Sequence, residues 1–63
     1  MIYERVKTLA DMRNISLAML ERKAQLSNGT IGKWKESEPG ARNLYKVAKA
    51  LGVDINILLE GTE

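Results

Sequence analysis

Residues 27–35 read SNGTIGKWK and hold side chains whose types suggest binding chemistry. The carboxamide of Asn28 carries donors and an acceptor, so it can pair with a planar edge that offers both. The ammonium of Lys33 donates to oxygen acceptors and to anions. Gly29 lies between them, and a residue without a side chain lets the backbone come close to a partner. This stretch predicts recognition through hydrogen bonds, without a catalytic step.

Catalysis finds little support elsewhere in the chain. There is no Cys and no His, which removes thiolate chemistry, the most frequent general base and the most frequent zinc ligand. No glycine-rich phosphate loop and no paired carboxylates at a defined site are present. The sequence therefore predicts no enzyme, no metal and no cofactor. Because it shows no signal peptide and no apolar run near the ~20 residues of a membrane span, we expect a cytoplasmic protein without a membrane partner.

The charge is distributed unevenly along the chain. Residues 1–49 hold all ten Lys and Arg and five acidic residues, a net of +5, whereas residues 50–63 hold three acidic residues, a net of −3. Such an asymmetry fits a surface that faces a polyanion, with an acidic end turned away from it. A solubilising surface explains the same charges equally well.

Apolar residues recur at helical spacing along the 63 residues, which predicts five short α-helices in one all-α domain spanning 1–63. Asn14 and Gly52 end helices, because both tolerate a left-handed backbone. Ser16, Ser27 and Asp54 supply N-caps, and the last helix runs from Ile55 to Glu60. The predicted core consists of Val6, Leu9, Leu17, Leu20, Ala24, Leu26, Ile31, Trp34, Leu44, Val47, Ala48, Leu51, Val53, Leu58 and Leu59.

The third helix needs separate argument, because Asn28-Gly29 is a strong hairpin signal. Ile31 and Trp34 stand three apart, which is helical spacing, and neither flank alternates as a strand does. We therefore predict a short helix that begins near Ser27 and contains Gly29 and Gly32. Two helical glycines cost about 2 kcal/mol relative to alanine. The alternative is that both glycines serve turns or C-caps.

The second and third helices are joined by about three residues, so they must cross steeply. This is the helix-turn-helix arrangement, here over residues 16–36. Leu20 and Ala24 face the third helix, and Ile31 and Trp34 pack back against them. The second helix of such a pair lies in the major groove of DNA. Its exposed side supplies the predicted base contacts, which are Ser27, Asn28, Gly29 and Lys33.

These side chains suit particular partners on DNA. The Asn28 amide matches adenine, and Lys33 can reach guanine O6 and N7 or a phosphate. Free N–H groups at helix starts bind phosphate, which predicts contacts at Ser16 and Asn43. Lys35 is a further phosphate candidate, although a solvated lysine is nearly as good an explanation of it.

Five pieces of sequence follow one another at characteristic intervals: Leu20-Glu21, LSNGTI (26–31), KWK (33–35), Pro39, and ALGV (50–53) with Leu58-Leu59. In this order they resemble the lambda-repressor-like, or XRE-type, helix-turn-helix domains, most of all the prophage-type regulators of Gram-positive bacteria. The resemblance covers Tyr3 to Gly61.

The resemblance implies a compact five-helix lambda-repressor-like fold and a phage or mobile-element repressor. It implies binding as a homodimer to a pseudo-palindromic double-stranded DNA operator. Because a chain of 63 residues has little surface for a stable interface, we expect the free protein to be mostly monomeric. The resemblance also implies a phosphate contact at Arg42 and a dimer interface through the last helix, where Ile55 and Ile57 lie. The family usually has Gly where this chain has Gln25, so Gln25 is expected at positive φ with about 1 kcal/mol of strain. The family often has Ser in place of Gly32.

Two other functions fit the same residues. An antitoxin or restriction-control protein of this fold would also bind DNA, and a co-encoded partner gene would distinguish it. A helical protein-interaction module without DNA binding is favoured by the low net charge and by Glu36 and Glu38, which lie near the proposed face and would repel phosphate. A salt titration of binding to random DNA separates the last case, because phosphate contacts make the affinity fall steeply as the salt concentration rises.

Overall fold

The computed structural model describes residues 2–59, whose regular secondary structure is entirely helical, without a strand. Its elements are α1 (Ile2–Met12), α2 (Leu17–Lys23), a 3₁₀ helix (Ile31–Lys35), α3 (Ala41–Leu51) and α4 (Ile55–Leu59). The all-α class is confirmed. The count of five α-helices is wrong, because residues 2–59 form four and the third predicted helix is a 3₁₀ helix. None of the helices described is long and apolar enough to cross a membrane.

The first three α-helices end in the same hydrogen-bonded closure. After α2, the N–H of Leu26 donates to the carbonyl of Glu21 at 2.8 Å, which wraps the chain around Gln25. This closure needs a left-handed residue, and Gln25 has φ 61°. Asn14 after α1 and Gly52 after α3 have φ 57° and 74° in equivalent closures. The predicted helix ends at Asn14 and Gly52 and the positive φ of Gln25 are confirmed.

Replacing Gln25 by glycine should stabilise the domain by about 0.5–1 kcal/mol, because glycine adopts positive φ without steric cost. Chemical denaturation measures the change. Asn14→Gly is the matched control, and it should gain less because asparagine enters the left-handed region more easily than glutamine. An unchanged or lower unfolding free energy for Gln25→Gly would contradict strain at the turn.

Two of the three predicted N-caps hold. The Ser16 Oγ accepts the N–H three residues on at 3.0 Å, and the Asp54 Oδ1 accepts the N–H two residues on at 2.8 Å. Ser27 makes no side-chain cap, since the 3₁₀ helix starts later and has none at its own first position. Glu60 and Gly61, the predicted end of the last helix, lie outside the described residues.

The core draws on all five helices. Ile2 and Ala10 belong to it although they were not predicted there, and Leu9, Leu17, Leu26 and Val53 pack against it only partly buried. Leu59 is 40% exposed, so its prediction as a core residue is wrong. Neighbouring residues on a helix point about 100° apart, and Leu58 takes the inward side. The buried apolar residues are Ile2, Val6, Ala10, Leu20, Ala24, Ile31, Trp34, Leu44, Val47, Ala48, Leu51 and Leu58.

Candidate nucleic-acid interface

The segment predicted to read bases begins as a turn and becomes helical only at Ile31. We call residues 27–36 the reading segment. Gly29 has φ 90°, which excludes it from a right-handed helix. The prediction that Gly29 lies inside the helix is therefore wrong, and the turn alternative holds for it. A side chain at Gly29 would meet no atom within 4 Å, so the backbone conformation alone favours glycine here.

A buried carboxylate in α2 holds the start of the reading segment. Glu21 is 4% exposed. Its Oε1 accepts the N–H of Gly29 at 3.1 Å, and its Oε2 accepts the N–H of Ile31 at 2.8 Å. N–H groups at a helix start have no partner within the helix, and hydrogen bonds to a carboxylate are stronger than those to a neutral oxygen. Glu21 therefore caps the 3₁₀ helix from a different helix and joins the two elements of the pair.

The reading segment has one buried side and one exposed side. Ile31 is fully buried and Trp34 is 5% exposed, so the 3₁₀ helix is anchored in the core. Asn28, Gly29 and Lys33 are exposed, and the N–H of Lys33 donates to the carbonyl of Gly29 at 3.3 Å, which places the turn directly below the helix. The polar groups of Asn28 and Lys33 are thus carried on a short rigid segment that faces solvent.

Two consecutive helices joined by a tight turn, with the second one anchored on its inner side and polar on its outer side, form a helix-turn-helix unit. The sequence pattern of the helix-turn-helix domain matches residues 3–63. The chain belongs to the helix-turn-helix domain family. Comparison with curated proteins and with solved structures gave no match.

Helix-turn-helix domains bind double-stranded DNA with the second helix of the pair in the major groove. In this helix-turn-helix domain the second helix is the 3₁₀ helix, and α1 packs behind it. Duplex DNA is therefore the partner that the family implies. The exposed side of the reading segment is the surface that would face the bases.

The side chains predicted to contact phosphate differ in their exposure and in the partners that they already have. Ser16 is exposed, and its hydroxyl oxygen already accepts a helix N–H while its own proton stays available. Arg42 is exposed and Asn43 half-buried in the first turn of α3. Lys35 is exposed, but its Nζ lies 5.2 Å from the ring centroid of Tyr3 in α1, a cation–π distance. Lys35 is therefore directed towards α1, and a phosphate would have to compete with this ring.

Sequence reasoning missed Glu21, although the helix-turn-helix domain carries a signal for it. Glu21 follows Leu17 by four residues and precedes Ala24 by three, so helical spacing puts it on the apolar stripe of α2. A carboxylate on a buried stripe needs hydrogen-bond partners. No buried side-chain nitrogen or oxygen of the described residues lacks a partner, and Glu21 meets this requirement with the two N–H groups of the reading segment.

Proposed function

We propose that this helix-turn-helix domain binds duplex DNA sequence-specifically as part of a cytoplasmic transcriptional regulator, of the kind that represses phage or mobile-element genes. Ser27, Asn28, Gly29 and Lys33 read bases in the major groove. Arg42, Asn43 and Ser16 hold the flanking phosphates, with Lys35 as an additional contact when it leaves Tyr3.

One observation carries this proposal. The reading segment is tied to α2 by Glu21 and to the core by Trp34, while the amide of Asn28 and the ammonium of Lys33 face solvent. Base readout needs polar groups held at a defined distance and angle from the groove, since bidentate pairing tolerates little displacement. A surface kept only for solubility needs no such anchoring.

Asn28→Ala should change the preferred base at one or two positions and weaken binding to the best site by about 1–3 kcal/mol. The alanine removes the amide that pairs with adenine and leaves the turn, since the φ of Gly29 does not depend on it. Selection of bound sequences from a random duplex library, run on both proteins, measures the change. An identical selected motif would show that Asn28 reads no base. Met19→Ala, an exposed substitution in α2, serves as the control.

We also propose that two copies bind a pseudo-palindromic operator through α4, since a single small module buries only about 600–1,000 Å² on DNA. Ile57 is 37% exposed on this short helix, whereas Ile55 is partly buried against the core. Leu59 is 40% exposed but lies about 200° around the helix from Ile57, so the two do not form one apolar face. The exposed apolar area at Ile57 is too small for a stable dimer in solution, so DNA would drive association by placing two sites side by side.

Ile57→Asp should abolish cooperative binding to a whole operator and leave binding to a half-operator close to that of the wild type. A charged side chain at this position opposes its burial between protomers. Gel-shift titrations on both duplexes measure the two affinities, with Met12→Asp on exposed α1 as the control of equal charge. Equal affinity per protomer on whole and half operators for the wild type would contradict the dimer.

A further inference from the structure

A groove lined by basic side chains lies between the end of α2 and the outer side of α3. Its volume is about 510 Å³. It contains none of the residues assigned to base contacts, and its one aromatic side chain, Tyr45, is 58% exposed. We call it the basic groove, and its polar and aromatic lining consists of Lys23, Gln25, Arg42, Tyr45, Lys46 and Lys49.

The cations of the basic groove form a row. Arg42, Lys46 and Lys49 follow one another at i, i+4 and i+7, so they line one side of α3 over about 10 Å. Lys23, in the last turn of α2, adds a fourth charge from across the groove. Within residues 2–59 none of the four has a carboxylate at ion-pair distance.

An acidic residue, Asp54, lies beyond one end of the groove. Asp54 lines the adjoining depression together with Lys49 and Tyr45, and its Oδ1 accepts the N–H of Asn56 at 2.8 Å. The row of cations is therefore open along its length and bounded by a carboxylate at one end. A linear anionic partner could therefore contact the row from Arg42 to Lys49.

The lining favours nucleic acid over protein as this partner. Lysine, arginine, glutamine and tyrosine are side-chain types that contact phosphates and sugars in protein–DNA complexes. Lysine is depleted at protein–protein interfaces, yet three of the four cations here are Lys23, Lys46 and Lys49. A straight row of unpaired charges also matches a linear polyanion, from which it displaces counterions.

We propose that the basic groove binds the sugar–phosphate backbone of duplex DNA beyond the base pairs that the reading segment contacts. This inference rests on the proposed function, and it adds a second backbone contact that continues from Arg42 at the start of α3. Lys23, Lys46 and Lys49 supply charge there, and Tyr45 packs against a sugar or donates its hydroxyl to a phosphate. The contact lengthens the bound DNA without adding sequence preference.

The test compares two duplexes that share the selected motif, one trimmed to it and one extended by about ten base pairs, a full helical turn, on each side. The wild type should bind the long duplex more tightly and with a steeper salt dependence. Lys46→Gln with Lys49→Gln should remove most of this gain and leave binding to the short duplex unchanged. Each phosphate contact contributes about 0.9 to the slope of log affinity against log salt concentration. When salt is raised from roughly 50 to 200 mM, the fold-loss in affinity for the long duplex should therefore be about ten times smaller for the double variant than for the wild type.

Two further variants keep the result interpretable. Lys46→Arg with Lys49→Arg retains the charges and should retain the gain, which separates charge from packing around half-buried Lys46. Lys7→Gln with Arg13→Gln removes one charge from α1 and one from the turn after it, both outside the groove, and should also retain the gain.

Two results would overturn the inference while leaving the proposed function intact. One is equal binding of the wild type to both duplexes, and the other is a full gain for the glutamine variant. Either would assign the groove to a different partner, such as an acidic protein surface. A wild type that binds neither duplex would remove the proposed function and this inference together.

Discussion

Replacing Trp34 by alanine should unfold the domain or come close to it, with a loss of about 3–5 kcal/mol. Trp34 is 5% exposed and anchors the 3₁₀ helix in the core. A chain of 63 residues has a total stability of about 3–9 kcal/mol, so the loss is most of what holds it together. Chemical denaturation followed by circular dichroism measures it.

Tyr45→Ala is the matched control for this prediction, because it removes an aromatic ring that is 58% exposed. The melting temperature of this variant should lie close to that of the wild type. Trp34→Phe keeps a large apolar ring and should lose less than the alanine variant. If Trp34→Ala melted like the wild type and lost only DNA binding, the side chain would be a surface contact, and its place in the core would be wrong.

Glu21→Ala is expected to lower the unfolding free energy by about 2–4 kcal/mol, because it leaves two N–H groups without their acceptor, one of them buried. Alanine has the highest helix propensity, so the substitution should not destabilise α2 itself. The reading segment should lose its fixed position before the rest of the domain unfolds. Amide hydrogen exchange at Gly29 and Ile31 would show this loss directly, and the motif selected from a random duplex library should become broader.

Glu38→Ala controls for the charge change, since Glu38 is exposed, and surface substitutions of this kind stay within about 0.5 kcal/mol. Glu21→Gln should lie between the wild type and the alanine variant, because an amide keeps one acceptor and turns a donor towards the other N–H. Should Glu21→Ala unfold within about 0.5 kcal/mol of the wild type, the carboxylate would have no part in holding the segment.

Much of the fold follows from local pattern. The spacing of Leu44, Val47 and Leu51 leaves α3 only one side to bury, and the stripe of α2 has the same logic. Asn14 and Gly52 accept a left-handed backbone because asparagine has a short polar side chain and glycine has none, so both residue types are favoured just after a helix. The amide of Asn28 and the ammonium of Lys33 are candidate DNA-binding groups for the same reason, because their chemistry is independent of the fold.

Tertiary structure decided the contacts between elements, because the sequence shows that a polar group needs a partner but not which residue provides it. The buried N–H of Ile31 needs an acceptor, and this acceptor is the carboxylate of Glu21, ten residues earlier and on another helix. That contact, with the turn at Gly29, made the reading segment a turn and a 3₁₀ helix where helical spacing predicted an α-helix. Lys35 similarly contacts the ring of Tyr3, which joins the end of the reading segment to the start of α1. The spacing of residues within either element could not specify this contact. Periodicity acts over a few residues, whereas these contacts exist only once separate helices have packed together.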